Sequence, residues 1–383
     1  MCPEQSRIKV MFVITGLATG GAENMLLKMC ARLDRDRFVP SVVSLWDKGV
    51  VGPKIEALQV PVHALGIHPR RPSPAGLLRL RRLVAQQQPD VLQGWMYHGN
   101  LAASLARRGK PALWGIRQSL YDLAKERWLT RWVIRLSAYT SRSASAIVYN
   151  SRVSAGQHQA MGFHAAATQI IPNGFDVDAY RPDEAARHEV RRELGLSANA
   201  LLIGLIARYH PMKDHVNFLK AAAQLQLPGR DVNFVLAGRG ADRDNDLLLR
   251  ALHELRLDKR TFLLGEREDV ARLTAALDIA TSASAWGEGF ANAIGEAMSC
   301  AVPCVVTDVG DSAWIVGDTG KVVPMRDAAA LAGAWRDLIE PGIEVRQTLG
   351  RRARQRVVDN FSLPAVVKQY EDLYVRLGRQ GVA

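Results

Sequence analysis

Apolar, β-branched runs alternate along this chain with segments whose apolar positions recur every three or four residues. Residues 7–15 read Arg-Ile-Lys-Val-Met-Phe-Val-Ile-Thr, a run suited to a central parallel strand covered on both faces. Comparable runs lie at 39–45, 60–65, 90–94, 113–119 and 145–151, then at 200–208, 232–240, 261–265, 277–282 and 304–307. Between them the spacing predicts helices over 22–33, 214–226, 328–339, 343–358 and about 363–377, and Ala291 to Met298 is rich in helix formers. Strands alternating with helices predict an α/β chain built on parallel sheets. No fixed-period repeat and no low-complexity tail interrupts the pattern.

Length and charge add a division to this picture. A chain of 383 residues is long enough for two domains of roughly 150 to 200 residues. Turn chemistry at Gln169-Ile-Ile-Pro-Asn-Gly-Phe-Asp176 marks a crossing between them. Residues 1–180 hold 23 lysines and arginines against 11 acidic residues, whereas 181–383 hold 27 of each. The whole excess of +12 therefore sits in the first half and calls for an anionic partner there, a membrane surface or nucleic acid. No apolar run approaches the ~20 residues of a membrane span. The run after Lys9 is short and enters a glycine loop, which reads as a first strand and not a signal peptide. Cys2, Cys30, Cys300 and Cys304 give neither a disulfide framework nor paired zinc spacing, so a reducing compartment is expected.

Candidate chemistry falls at the strand ends, where open α/β sheets collect ligands. After the first strand, Gly16-Leu-Ala-Thr-Gly20-Gly21-Ala-Glu23 leads into a helix. That could cradle phosphate or simply turn tightly, since its spacing is not the dinucleotide glycine motif and no Walker lysine follows. Trp95-Met-Tyr-His98-Gly-Asn100 and Arg117 follow two later strands. Arg208-Tyr-His-Pro-Met-Lys213 puts two cations five apart before a helix; they can clamp a diphosphate or stand as surface charges. The segment 125–136 repeats Arg127, Arg131 and Arg135 beside Trp128 and Trp132 at helical spacing. It suits an anionic bilayer surface or a core helix with a solvated basic side.

The densest stretch is 286–310. Gly287 and Gly289 flank Glu288, and Glu296 stands eight positions on. On one continuous helix the two carboxylates would be about 12 Å apart in rise, beyond the roughly 5 to 9.5 Å of a glycosidase pair. A loop-to-helix junction is the other placement, with Glu288 in the loop, Glu296 on the helix, and free N–H groups aimed at an anion. Asp34-Arg-Asp36 and Asp176-Val-Asp178 imitate a metal-binding pair but lie in turn-like contexts, and no metal is expected.

Glu288-Gly-Phe-Ala-Asn-Ala-Ile-Gly-Glu296-Ala-Met, followed by Pro303-Cys-Val-Val-Thr-Asp-Val-Gly310, resembles the glutamate-x7-glutamate signature of retaining glycosyltransferases of family 4. The resemblance extends over nearly the whole chain and implies the GT-B architecture, two facing Rossmann-like domains with a C-terminal helix crossing back to the first. It divides the chain into an acceptor-binding domain, 1–170 plus about 363–383, and a nucleotide-sugar-binding domain, 171–362. It implies a metal-independent hexosyltransferase without cofactor, taking a UDP- or GDP-linked sugar as substrate. Arg208, Lys213, Glu288 and His98 would be catalytic. Gly20, Gly21, Arg117, Glu266, Val270, Gly289, Phe290, Ala291, Asn292 and Glu296 would bind the donor. Ala291, where many relatives carry a bulkier residue or proline, leaves the shape of the sugar pocket open. The expected partners are the donor, a glycan or lipid-linked acceptor in polysaccharide or lipopolysaccharide assembly, and an anionic membrane reached through the basic first domain. Nucleic acid is not expected. That places the chain in the cytoplasm, peripheral on the inner face of the membrane. A sugar-nucleotide 2-epimerase of the same architecture is the alternative, and a basic nucleic-acid-binding protein a more distant one.

Overall fold

A computed structural model describes residues 7–67, 74–121, 128–197 and 199–380. Two compact units emerge. One comprises the described residues up to Gly174 together with those from Leu363 onward; the other spans Phe175–Ser362.

The first unit is a seven-stranded parallel sheet: β1 (Ile8–Ile14), β2 (Phe38–Ser44), β3 (Val62–Ala64), β4 (Val91–Trp95), β5 (Ala112–Ile116), β6 (Ala146–Tyr149) and β7 (Thr168–Ile170), in the order 3-2-1-4-5-6-7. The order reverses between β1 and β4, whose last residues Ile14 and Trp95 pair. The loop leading to Gly20 and Gly21 and the first turn of the helix after β4, which carries His98, therefore lie at the same switch point. Val10 to Ile14 and all of β4 and β5 are buried, as strands covered by helices on both faces must be.

The first unit runs to Gly174, four residues past the expected boundary, because the segment after β7 is tied back to its sheet. Ile171 donates its N–H to the Tyr149 carbonyl at 2.9 Å, and Asn173 accepts from Arg117 at 3.0 Å. The helix Leu363–Gln380 completes this unit. Leu363, Val366, Val367, Tyr370, Leu373, Tyr374 and Leu377 recur at the spacing of one helical stripe, and all are buried against β1 and the helix Gly21–Arg32. Tyr374 packs edge-on to Phe12 and Phe38 and donates its hydroxyl to Gln93.

The second unit repeats the plan with six parallel strands: β8 (Leu201–Ile206), β9 (Val232–Ala237), β10 (Thr261–Leu263), β11 (Ile279–Ser282), β12 (Cys304–Thr307) and β13 (Gly320–Val323), in the order 10-9-8-11-12-13. Here the switch point lies between β8 and β11, so the loops after them meet. Those loops carry Arg208 and Lys213 on one side and Glu288 on the other. Trp335, Phe218 and Phe234 form the aromatic centre of one face, and Phe175, Phe290, Trp314 and Phe361 that of the other.

Candidate functional site

Glu288 lies in the loop after β11, not on a helix, and is 8% exposed. Lys213, at the end of the short turn Pro211–Lys213 after β8, places Nζ 2.5 Å from Glu288 Oε2. Ser284 donates its hydroxyl to the same oxygen at 2.9 Å. A buried carboxylate needs this company, since desolvation without a paired charge and hydrogen bonds would drive it neutral. The two loops are also joined through the backbone, with the Ala285 N–H donating to the Met212 carbonyl at 2.8 Å. Thr307 in turn donates to the Ser284 carbonyl at 2.7 Å, anchoring the loop to the end of β12.

Beneath this loop runs the turn at Gly310. Its φ is +61°, and a Cβ there would stand 2.1 Å from the Glu288 carbonyl oxygen. Only glycine permits both the left-handed backbone and the close pass. Asp311 continues the support, its N–H donating to the Gly289 carbonyl at 3.0 Å.

The helix Asn292–Ser299 starts where this loop ends. Its N-cap residue is Ala291, so no side chain caps it, and the first-turn N–H groups and positive dipole end are presented at the strand-end loops. Gly295 lets the helix ride over Phe175, whose ring would lie 2.1 Å from a Cβ. Phe290 and Ala291 are 7% and 3% exposed: the Phe290 ring stacks on Phe175 at 5.9 Å and touches Trp314 and Phe361. As donor-binding residues these two can therefore offer backbone only. Their side chains are core. Asn292 is exposed, and Glu296, half-buried one turn on, accepts from the Tyr180 hydroxyl. Burial first and the Glu296 charge second push the Tyr180 pKa up.

Arg208 is exposed on the β8 loop and has no ion pair among the described residues. Glu266 is exposed and Val270 half-buried beyond β10, two strands from β8. Between them Asp269 is gripped by Arg267 at 2.6 and 2.5 Å and by Arg272 at 2.8 Å, and the Arg267 hydrogen bonds hold its carboxyl well below the usual range. Arg272 also reaches Glu193 and Glu189. This ion cluster, Ser284 and the Gly310 turn went unread in the sequence. Only the glycine, placed after a strand and Asp308, left a local sign.

In the first unit Gly20 is the N-cap of the helix Gly21–Arg32, and Glu23 folds back over it. His98 is exposed in the first turn of the helix Met96–Ala106, which β4 enters through Met96 at φ +65°. Arg117, expected to bind the donor, is held within the first unit by three contacts. Its guanidinium lies over the Trp95 ring at 4.5 Å and donates to the Tyr370 hydroxyl at 2.9 Å and Asn173 Oδ1 at 3.0 Å. Both of its amino groups are thus engaged in joining β5, the end of the crossing and the last helix.

The basic helix is described from Trp128 to Thr140; Arg127 lies outside the described residues. Ile134, Ser137 and Ala138 face the core, while Trp128, Leu129, Trp132, Leu136 and Tyr139 are exposed. The tryptophans, 62% exposed, share the outer face with Arg135.

Asp34 accepts from the Asp36 N–H at 2.9 Å and Asp176 from the Asp178 N–H at 3.2 Å, so both acidic pairs form local turns. Among the described residues no three His, Cys, Asp or Glu side chains are grouped so that they could hold a metal ion, and no helix is long and apolar enough to cross a membrane. Cys30, Cys300 and Cys304 are buried thiols; burial pushes the first two up to about 12.

Two family models match this chain in succession. Glycosyltransferase family 4 covers residues 19–179, and glycosyl transferases group 1 covers residues 200–341. The chain belongs to the family 4, group 1 glycosyltransferases. Among its relatives, the Escherichia coli UDP-Gal:alpha-D-GlcNAc-diphosphoundecaprenol alpha-1,3-galactosyltransferase is 28% identical over 212 residues, 54% of this chain and 53% of that one. The N-acetyl-alpha-D-glucosaminyl L-malate synthase of Bacillus anthracis is 28% identical over 208 residues, again 54% and 53%. The chain spans about half the length of the curated relatives it matches. Anabaena HepE, crystallised with UDP, superposes with a TM-score of 0.83 at 24% identity, covering 97% of this chain and 100% of that one. The fold of this glycosyltransferase-family chain is therefore GT-B.

Proposed function

We propose that the chain is a retaining, metal-independent hexosyltransferase that needs no cofactor and uses a UDP- or GDP-linked sugar. The observation that carries this reading is the Lys213–Glu288 pair beside the side-chain-uncapped helix Asn292–Ser299. A departing nucleoside diphosphate gains negative charge, and catalysis requires fixed positive groups where it forms. Arg208, Lys213 and the first N–H groups of that helix supply them. Lys213 turns from Glu288 toward the phosphate, while Glu288 accepts from hydroxyls of the transferred sugar. Glu296 accepts from the ribose, with Glu266 and the backbone at Val270 beside the base, and the donor phosphate takes the acceptor proton. Gly20 and Gly21 serve the donor phosphates and the acceptor, and His98 contacts the donor sugar or positions the acceptor. The E. coli relative acts on UDP-Gal and a lipid diphosphate-linked sugar, and HepE binds UDP and glucose; both support this donor and acceptor class. Both family models are of glycosyl transferases, which leaves the epimerase alternative without support.

The exposed Trp128, Trp132, Leu136 and Tyr139 with Arg131 and Arg135 fit an anionic membrane at its inner face, where such an acceptor lies. The test is transfer from UDP- and GDP-hexoses to a polyprenyl-diphosphate-linked sugar in vesicles. Product mass and the NMR coupling of the new anomeric proton are read. A product with retained configuration, lost in Glu288→Gln, supports the reading; an inverted product, or activity indifferent to Glu288, contradicts it.

A further inference from the structure

A cavity of about 530 Å³ opens at the amino ends of β1, β4 and β5. Parallel strands that start together bring the residues before them into one place. The Lys9 N–H donates to Asp90 Oδ2 at 2.9 Å and the Asp90 N–H to the Lys9 carbonyl at 2.9 Å, which fixes the floor. The turn at 107–110, closed by the Lys110 N–H on the Arg107 carbonyl at 2.8 Å and with Arg108 at φ +50°, adds a second wall. Four cations, Arg7, Lys9, Arg108 and Lys110, line the cavity against the single carboxylate of Asp90. Among the described residues none of the four side chains makes an ion pair, and one oxygen of Asp90 is already engaged by backbone.

We propose that this cavity is an anion site for a phosphate-bearing ligand with two or more negative charges. Arg7, Lys9 and Arg108 are exposed and Lys110 is half-buried; like charges gathered in one concave space repel, and a bound anion relieves that repulsion at all four at once. Two guanidinium forks match phosphate oxygens in bidentate fashion, and the two ammonium groups add point charges. The seven residues of β1 separate this end of the sheet from the end that carries Gly20 and His98 by about 20 Å, so the site is distinct from that end of the same unit. It does not rest on the transferase reading.

Isothermal titration of inorganic pyrophosphate tests it, using the full chain with Arg208→Ala and Lys213→Ala so that the donor-site cations do not report. Saturable binding should weaken at least tenfold on adding Arg108→Glu and Lys110→Glu, and stay unchanged on adding Arg250→Glu and Lys259→Glu, the same charge change on exposed residues of the second unit. Arg108→Gln with Lys110→Gln provides the milder variant should the reversal disturb folding. No saturable binding in the parent, or equal weakening by both reversed pairs, overturns the site. Co-sedimentation with phosphatidic acid vesicles then identifies the source. Capture lost with the reversal assigns the phosphate to a lipid headgroup; capture indifferent to it assigns a free anion.

Discussion

Lys213 and Glu288 come from loops 75 residues apart and meet at 2.5 Å because the strand order of the second sheet reverses between β8 and β11. The pair links folding to donor binding. Removing Lys213 leaves a buried carboxylate that accepts from the neutral Ser284 hydroxyl, a loss of roughly 1 to 3 kcal/mol. Lys213→Ala should therefore destabilise more than Lys213→Ala combined with Glu288→Gln, with a coupling of about 1 to 2 kcal/mol in urea denaturation. Additive effects would show that the pair carries no interaction energy.

Gly310 and Gly333 make a contrasting pair. Gly310→Ala forces a left-handed alanine against the Glu288 carbonyl and should cost upwards of about 2 kcal/mol, with loss of donor binding. Gly333→Ala, within the helix Ala328–Ile339 and with nothing within 4 Å, should raise stability by roughly 0.5 to 1 kcal/mol. Thermal unfolding of both variants reads the difference.

Much of this was legible because parallel strands buried on both faces write themselves as unbroken apolar runs, as in Val10 to Ile14. The loop-to-helix junction at Glu288 was legible from glycines followed by helix formers. Arg117 was not. Its position at a strand end gives no sign that Tyr370, 253 residues on, takes one of its donors. Periodicity placed Trp128 and Trp132 on one face of a helix but could not tell which face is outward, since apolar residues belong to a core and to a membrane contact alike. Ser284 carries no local signal; its role exists only once Glu288 folds over it.

The last helix should be essential to the first unit. Tyr374→Ala removes a fully buried ring packed on Phe12 and Phe38 and leaves Gln93 without its donor, at a cost of about 3 to 5 kcal/mol. Tyr374→Phe should cost only about 1 kcal/mol. Chemical denaturation followed by tryptophan fluorescence distinguishes the two.

Two buried histidines make stability depend on acid. His158 donates from Nδ1 to the Ser154 carbonyl at 2.7 Å and accepts from the Tyr97 hydroxyl at 2.6 Å, so it is neutral; burial lowers it to about 4. His215 is likewise lowered to about 4 by burial. Each lies below its unfolded value near 6.5, so the unfolded chain binds the extra proton. Stability is full above pH 6.5 and falls as pH drops toward 4, by up to about 3 kcal/mol per histidine. Urea midpoints from pH 7.5 to 4.5 should fall accordingly, and less steeply in His158→Gln.

The outward tryptophans predict capture by vesicles containing phosphatidylglycerol, weakened by Trp128→Ser with Trp132→Ser and by salt. Sedimentation equal for both proteins would assign the exposed face another role.

The most direct test of the donor site is thermal unfolding against UDP- and GDP-hexoses without added metal. A ligand at a hundred times its dissociation constant adds about 2.7 kcal/mol. One nucleotide class should raise the unfolding temperature of the native chain, and the shift should disappear in Arg208→Ala with Lys213→Ala. A shift that survives both substitutions, or none with any donor, would contradict the account.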